Sequence, residues 1–188
     1  DISVQPRGFP LLVSLANEEP DDEQEDNLLM EVAELLLNAG ADPQKRAHSV
    51  SYSNNGEIIV GAGNDAIFTA IRSFNTDLAA RFLEAPDIHL NRHYKEKKTY
   101  LHAAVANGDD EIVQLLLDKH VDINIKDVNG DTPLIASQKE VIASVDNRKA
   151  VTRLLLDAGA DKNISNNDGK FAYDYARVSF IGQELYDS

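Results

Sequence analysis

A six-residue segment of this 188-residue chain recurs after 33 residues, and this repetition constrains the fold more than any other feature. Thr99–Ala104 reads TYLHAA and matches Thr132–Ser137, which reads TPLIAS. Asn91 and Asn124 are separated by the same 33 residues. A unit of this length cannot bury a hydrophobic core alone, so successive units must stack on one another.

A later copy of the unit is longer. Gly130 and Gly169 are 39 residues apart, and the leucine-rich segments show the same spacing, so this copy carries a single insertion within Lys139–Arg148. Three apolar residues of the insertion fall on one face of a helix, which predicts an added helical turn. They are Val141, Ile142 and Val145.

The spacing of apolar residues within one unit predicts a helix with a defined beginning and end. Asp109 stands where an N-cap would accept a hydrogen bond from a free backbone amide. Ile112, Val113, Leu116 and Leu117 follow at helical spacing. Gly40 and Gly159 stand where a left-handed residue ends a helix, whereas His120 and Pro86 hold the equivalent places. We expect the helices before His120 and Pro86 to end differently.

These motifs resemble ankyrin repeats, down to the closing Gly-Ala-Asp of residues 40–42 and 159–161. The resemblance implies an all-α solenoid of helix-turn-helix units with β-hairpin fingers, one of them elongated. We predict a single ankyrin-repeat domain over residues 1–188. Its five units span about residues 8–44, 62–91, 92–124, 125–163 and 164–188, with insertions at 17–27, 45–61 and 139–148.

The insertion at 45–61 predicts the elongated finger. Asn55-Gly56 lies between two runs of β-favouring residues, which is the pattern of a hairpin turn. The alternative is a loop that packs on its neighbours with Ile58 and Val60 buried, and both descriptions are compatible with each other.

Half of the formal net charge of −14 comes from seven acids within the run Glu18–Asp26. Like charges repel, so such a run is typical of a solvated loop, and its functional alternative is a bait for a basic partner. The alternating ligands of a calcium loop are missing from it. Positive charge gathers instead at Arg92, Lys95, Lys97 and Lys98. The surface is therefore expected to be acidic at one insertion and basic at one finger.

Composition excludes several classes of function. The chain has no cysteine, which removes disulfides, thiolate metal sites and cysteine nucleophiles. Its acidity and the small size of the basic cluster argue against nucleic acid as a partner. We also expect no insertion into a membrane, because no apolar run approaches the length of a span.

No catalytic group of residues emerges from the motifs. Gly61, Gly63 and Ala66 follow a predicted strand as a dinucleotide-binding fingerprint would, but a second helix follows where that fold needs a parallel strand. The five histidines share no metal-ligand spacing. His102 holds the ankyrin histidine position, which implies a structural role. We predict no catalytic, cofactor-binding or metal-binding residues, and no enzyme activity.

The resemblance implies that finger tips and the concave face of each first helix bind a partner protein, and we expect a basic or mixed-charge one. An exposed tyrosine gives much contact area at little entropic cost, so Tyr52 is the expected anchor, with folding onto its own hairpin as the alternative. If these surfaces bind the partner, the substitutions Tyr52→Ala, Arg72→Ala and Tyr94→Ala should weaken partner binding without lowering the stability of the fold. The predicted partner-binding residues are Tyr52, Thr69, Arg72, Ser73, Arg92, His93, Tyr94, Lys95, Glu96, Ala106, Asn107, Asp127, Val128, Asn129, Asp131, Asn166, Asn167 and Lys170.

Two functions stay open at this point. The first is a free-standing, monomeric, cytoplasmic scaffold for protein–protein interaction. The second is a substrate-recruiting or regulatory domain cut from a larger multidomain protein, including an effector enzyme that a pathogen delivers into the host cytosol. The chain begins at Asp1 and not at a methionine, which favours a fragment.

Overall fold

The computed structural model of the chain describes residues 11–18, 23–52, 58–139 and 144–176, and for residues 23, 48–52 and 58–62 it describes the backbone alone. The chain divides into two compact units, Asp1–His89 and Leu90–Ser188.

The unit Asp1–His89 contains helices and one antiparallel pair of strands. In the pair, His48 lies opposite Ala62 and Tyr52 lies opposite Ile58. Helix α3 packs against α4 and α1, and α1 also packs against α2. The elements are α1 (Leu11–Leu15), α2 (Glu23–Asn38), β1 (His48–Tyr52), β2 (Ile58–Ala62), α3 (Ala66–Arg72) and α4 (Thr76–Leu83).

The regular elements among the described residues of the unit Leu90–Ser188 are all helices. Its first helices stack on one another, with α7 between α5 and α9, and α8 packs against both α6 and α7. The elements are a 3-10 turn (Lys95–Lys97), α5 (Tyr100–Asn107), α6 (Asp110–Asp118), α7 (Pro133–Lys139), α8 (Val145–Asp157) and α9 (Ala172–Tyr175).

Polar N-caps begin the second helix of successive pairs. The Asn75 side chain accepts a hydrogen bond from the Leu78 amide (3.1 Å) at the start of α4. The Asp109 carboxylate accepts one from the Ile112 amide (3.0 Å) at the start of α6, as predicted. Each cap satisfies an amide that has no partner inside the helix.

The core of each unit consists of apolar residues at helical spacing. The predicted stripe of α6 is largely confirmed, since Ile112, Val113 and Leu116 are fully buried. Leu78 and Phe82 hold the corresponding stripe of α4 and are also fully buried. Their burial requires a neighbouring pair of helices, because one pair has no second apolar layer of its own.

A side-chain hydrogen bond joins the end of one helical pair to the end of the next. The amide group of a glutamine or asparagine bonds backbone groups of the following pair at 2.8–3.1 Å, and we call these contacts the amide ladder. The ladder joins Gln44 to His89, Asn91 to Asp122, and Asn124 to Asp161.

Three expectations from the sequence are revised or refined here. Helix α2 begins at Glu23, so the end of the acidic run is helical and not a loop, which suits acids because the N-terminus of a helix attracts negative charge. His120 has φ 59°, so it adopts the same left-handed conformation as Gly159 (φ 92°), contrary to our expectation for that helix. Pro86 cannot adopt a positive φ, and there the left-handed residue is Asp87 (φ 60°).

The insertion at 139–148 lengthens a helix, as predicted. Helix α8 has 13 residues and α6 has 9, and Ser144 caps the added turn through the Asn147 amide (3.1 Å). Val145 begins α8 and is exposed, whereas Val141 and Ile142 lie outside the described residues, as does the Asn54-Asn55-Gly56 turn.

The amide ladder makes a prediction with a built-in control. Asn124→Ala removes the hydrogen bond to the Asp161 amide (2.9 Å) and should lower the free energy of unfolding by about 1 kcal/mol, the ordinary net value of such a bond. Asn163 holds the same motif position, but its side chain bonds none of the residues that the structure describes. Asn163→Ala should therefore stay within about 0.5 kcal/mol of the wild type. Urea unfolding measures the stability of both variants, and equal losses of stability would contradict a stabilising role of the amide ladder.

Candidate protein-binding surface

Three loops of the unit Leu90–Ser188 connect one helical pair to the next and are closed in the same way. In each, a backbone amide donates to the carbonyl four residues later, at 2.8–3.0 Å. We call these loops the fingers. The closing hydrogen bonds run from Tyr94 to Lys98, from Asp127 to Asp131 and from Asn166 to Lys170.

The first residue of the second and third fingers faces inward. The Asp127 carboxylate accepts hydrogen bonds from the amides of Asn129 (2.8 Å) and Asp131 (2.9 Å). The side-chain oxygen of Asn166 accepts from the amides of residues 168 and 170 in the same pattern. Both side chains are buried, so Asp127 and Asn166 shape their fingers. Their prediction as direct partner contacts does not fit this burial.

The first finger holds the same position with an aromatic ring. Tyr94 is 8% exposed, and its hydroxyl donates to the hydroxyl of the fully buried Tyr100 at 2.6 Å. The two rings lie 5.2 Å apart. Tyr94 thus anchors the finger to α5. The expectation that Tyr94→Ala leaves stability unchanged does not fit this geometry, because a buried ring and a hydrogen bond are lost.

Asp131 is the centre of a buried polar cluster and not a surface contact. Its carboxylate lies 2.5 Å from Lys139 Nζ and accepts from Asn166 Nδ2 at 2.7 Å. Its backbone carbonyl accepts a hydrogen bond from His102 Nε2 (3.1 Å), which joins the cluster to α5. The hydrogen bond with Asp131 raises the pKa of Lys139 above its ordinary value.

His102 has the structural role that its motif position implied. Its Nδ1 accepts from the backbone amide of Thr99 (3.3 Å), which can only donate, and its Nε2 lies 3.1 Å from the Asp131 carbonyl, which can only accept. These partners require the neutral ring with the proton on Nε2. The ring is 1% exposed.

The tips of the three fingers are exposed and bonded to one another. The Val128 amide donates to the Glu96 carbonyl (2.7 Å), and the Asn167 amide donates to the Asn129 carbonyl (2.9 Å). Asn167 Nδ2 also donates to the Val128 carbonyl (3.1 Å). We call the exposed predicted residues along these tips the finger strip. They are His93, Lys95, Glu96, Val128, Asn129, Asn167 and Lys170.

Close packing between the second and third fingers requires a glycine. Gly130 has φ 76°, and a Cβ atom at this position would lie 2.8 Å from the Asn167 backbone nitrogen. A side chain there would push the two tips apart.

The helical residues that were predicted to contact the partner differ in their exposure. On α3, Arg72 is exposed, whereas Thr69 and Ser73 are partly exposed. On α5, Ala106 is buried and Asn107 is partly exposed, so Ala106 offers little area and does not fit its predicted role. The small side chains of α5 pack inward, since Ala103 is buried as well.

Tyr52 and Arg92 are the remaining predicted contacts. Tyr52 ends β1, and its backbone pairs with Ile58, but its side chain lies outside what the structure describes. Arg92, at the base of the first finger, is partly exposed.

Lys97 is a residue that the predicted set missed, and we include it in the finger strip. It is exposed beside Glu96, and both adopt positive φ angles (56° and 61°) that turn the tip. His93 Nδ1 donates to the Lys97 carbonyl at 3.0 Å, which fixes the turn. The basic cluster of the sequence already contained Lys97 and was the available signal.

The described residues contain no group of three His, Asp or Glu side chains placed to hold a metal ion. Across the same residues, no helix is both long enough and apolar enough to span a bilayer.

The anchoring of the first finger gives a test. Tyr94→Phe removes the buried hydroxyl pair but keeps the ring, and should lower the free energy of unfolding by about 1 kcal/mol. Val128→Ala at an exposed tip should change it by less than about 0.5 kcal/mol. Urea unfolding followed by circular dichroism compares the two. An unchanged stability of Tyr94→Phe would remove the anchoring role.

Comparison with known proteins agrees with this architecture. The family model described as "Ankyrin repeats (3 copies)" matches residues 25–166. Mouse "Protein phosphatase 1 regulatory subunit 27" is 33% identical over 118 residues, which cover 62% of this chain and 73% of that protein.

Larger proteins also contain similar segments. Mouse "Protein phosphatase 1 regulatory subunit 12A" is 35% identical over 104 residues, or 55% of this chain, and the chain spans only 10% of that protein's length. The Arabidopsis thaliana "E3 ubiquitin-protein ligase KEG" is 28% identical over 163 residues, covering 84% of this chain and 9% of the ligase. With three-quarters of its length matched by the family model and the stacked helical pairs in place, the chain belongs to the ankyrin-repeat family.

Proposed function

We propose that the chain is a protein-binding module that has no catalytic activity of its own and contacts its partner through the finger strip. The observation that carries this proposal is the set of backbone hydrogen bonds between the tips of neighbouring fingers. A surface held in advance loses little conformational entropy when a partner binds. Relatives with the printed role of regulatory subunits support a function exerted on other proteins.

The charge of the strip suggests where an acidic patch of the partner would dock. Lys95, Lys97 and Lys170 are exposed at the tips, against the acids Glu96 and Asp168. The chain as a whole carries a net charge of −14, so this strip is locally opposite in sign to the molecule. Such a local reversal orients an incoming partner and increases the rate of association.

The unit Asp1–His89 would contribute contacts of its own. We include Arg72, with Thr69 and Ser73, because they lie partly or fully exposed at the end of α3. We also include Tyr52, on the view that β1 and β2 form the stem of the elongated finger. The division into five units, the monomeric state and the cytoplasmic location belong to the same proposal.

A charge-reversal experiment tests the strip. The partner is first captured from a cell extract on the immobilised chain, identified by mass spectrometry and then purified. Lys95→Glu combined with Lys97→Glu should weaken its affinity at least about tenfold, a loss of about 1.4 kcal/mol. Isothermal titration calorimetry at low and high salt measures the affinity, and the loss should shrink at high salt.

Lys119→Glu at the end of α6 is the control, since it reverses one lysine charge, half the change of the finger variant, outside the fingers. Its affinity should stay within about twofold of the wild type, because a distant surface charge is screened. Equal losses in the finger variant and the control would contradict docking through the strip.

A second candidate function is regulation of a protein phosphatase. It is favoured by the two relatives named as protein phosphatase 1 regulatory subunits, which match 55% and 62% of this chain. If the chain shares that role, purified protein phosphatase 1 should bind it, and the finger variant should bind more weakly. Absence of binding in calorimetry at concentrations of about 100 μM would exclude this candidate and leave the general proposal standing. A regulatory domain within a larger protein, an effector included, is compatible with either candidate.

A further inference from the structure

Phe74 lies in a backbone conformation that a phenylalanine rarely adopts. It has φ 58° in the turn between α3 and α4, and its residue surface is 58% exposed. The other described non-glycine residues with positive φ are all polar: Asp87, Glu96, Lys97 and His120. A left-handed conformation costs free energy in any residue that has a Cβ atom.

The following helical pair shows what this turn otherwise uses. Gly108 stands 34 residues after Phe74, in the turn between α5 and α6, with φ 70°. The backbone hydrogen bonds of the two turns correspond, since the amides of Phe74 and Gly108 donate to Ile71 (3.2 Å) and Val105 (3.1 Å). The same fold is therefore made with glycine, without the strain and without an exposed ring.

The exposed ring contributes little to the core of its unit. A phenylalanine stabilises a fold by burying its surface, and the described core of this unit does not include Phe74. A residue that is both strained and largely exposed has a cost with little structural return. Strain of this kind is a reason to look for a function at the site.

A cavity of about 340 Å³ lies beside the ring. It is formed by the turn Ser73–Asp77 together with Glu18 and Asp26. Three of the described residues that line the cavity are acids, and none of the described lining residues is basic. This volume is at the lower end of the range for ligand sites, about 300–1,000 Å³, so it accommodates one or two side chains and not a folded domain.

We propose that Phe74 and this cavity form a second docking surface, which binds a peptide segment of another protein carrying one apolar side chain flanked by lysine or arginine. The apolar side chain would pack on the Phe74 ring. The flanking cations would pair with Glu18, Asp26 and Asp77, whose charge selects against acidic segments. The surface lies at the opposite end of α3 from β2 and shares no residue with the finger strip, so the inference does not rest on the function proposed above.

The test uses the whole chain and a fluorescein-labelled ten-residue peptide, with a central leucine flanked on each side by two arginines. Fluorescence anisotropy should detect binding that weakens as salt rises. The same peptide with serine in place of leucine, or with glutamates in place of the arginines, should bind at least about tenfold more weakly.

The decisive variant is Phe74→Gly, because affinity and stability should change in opposite directions. Peptide affinity should fall at least about tenfold. The melting temperature should rise by about 2–4 °C, because the strain is relieved without loss of core packing. Phe74→Tyr keeps the ring and should keep both the affinity and the melting temperature. Leu35→Ser removes another exposed apolar side chain of the same unit, outside the cavity, and should leave peptide affinity unchanged.

Several results would overturn the proposal. A lower melting temperature of Phe74→Gly would make Phe74 a structural residue, and unchanged peptide affinity would remove it from the surface. Equal binding of the leucine and serine peptides, or no binding at about 1 mM peptide, would reject the ligand class. Sedimentation of a dimer that Phe74→Gly dissociates would assign the surface to a second copy of the chain. The Lys95→Glu and Lys97→Glu variant should bind the peptide normally, which separates this result from the finger test.

Discussion

No helical pair among the residues that the structure describes buries its apolar face by itself, and the rest of the described fold depends on contact between neighbouring pairs. Leu116 and Phe82 reach full burial although each belongs to a helix of only 9 or 8 residues. Short helices of this kind are marginal alone and depend on tertiary packing. The amide ladder fixes the register of this packing. The side-chain amide group of Asn91 or Asn124 can bond its backbone partner in the next pair only when the two pairs are correctly aligned.

The fingers divide into an inner and an outer part with different chemistry. Inner positions use polar side chains to satisfy the finger's own amides, as Asp127 does, and are buried for that reason. Buried polar groups of this kind must be bonded, which ties Asp131 to Lys139 and Asn166. Outer positions then carry side chains that the fold does not need. Side chains at those tips can change with little effect on the structure beneath them.

The first finger is held to the fold by a tyrosine and not by a buried polar side chain. Tyr94 replaces the polar residue of the later fingers, and the tip of its finger has two left-handed residues, Glu96 and Lys97. Its anchor is a hydroxyl pair with Tyr100, which itself stands where the next copy has Pro133. The two aromatic residues therefore form one coordinated departure from the repeat.

The sequence by itself determined the repeating helical pairs, the N-cap at Asp109, the buried stripe of α6 and the extra turn of α8, because periodicity and capping are local properties. It also located the fingers, but it could not say which finger residues face outward. Tyr94, Asp127, Asp131 and Asn166 were predicted as contacts and are buried, whereas Lys97 was omitted and is exposed. Only the tertiary structure decided this. Finger backbone has no period that links position to direction, and each side chain points toward the hydrogen-bond partner that the neighbouring pair supplies.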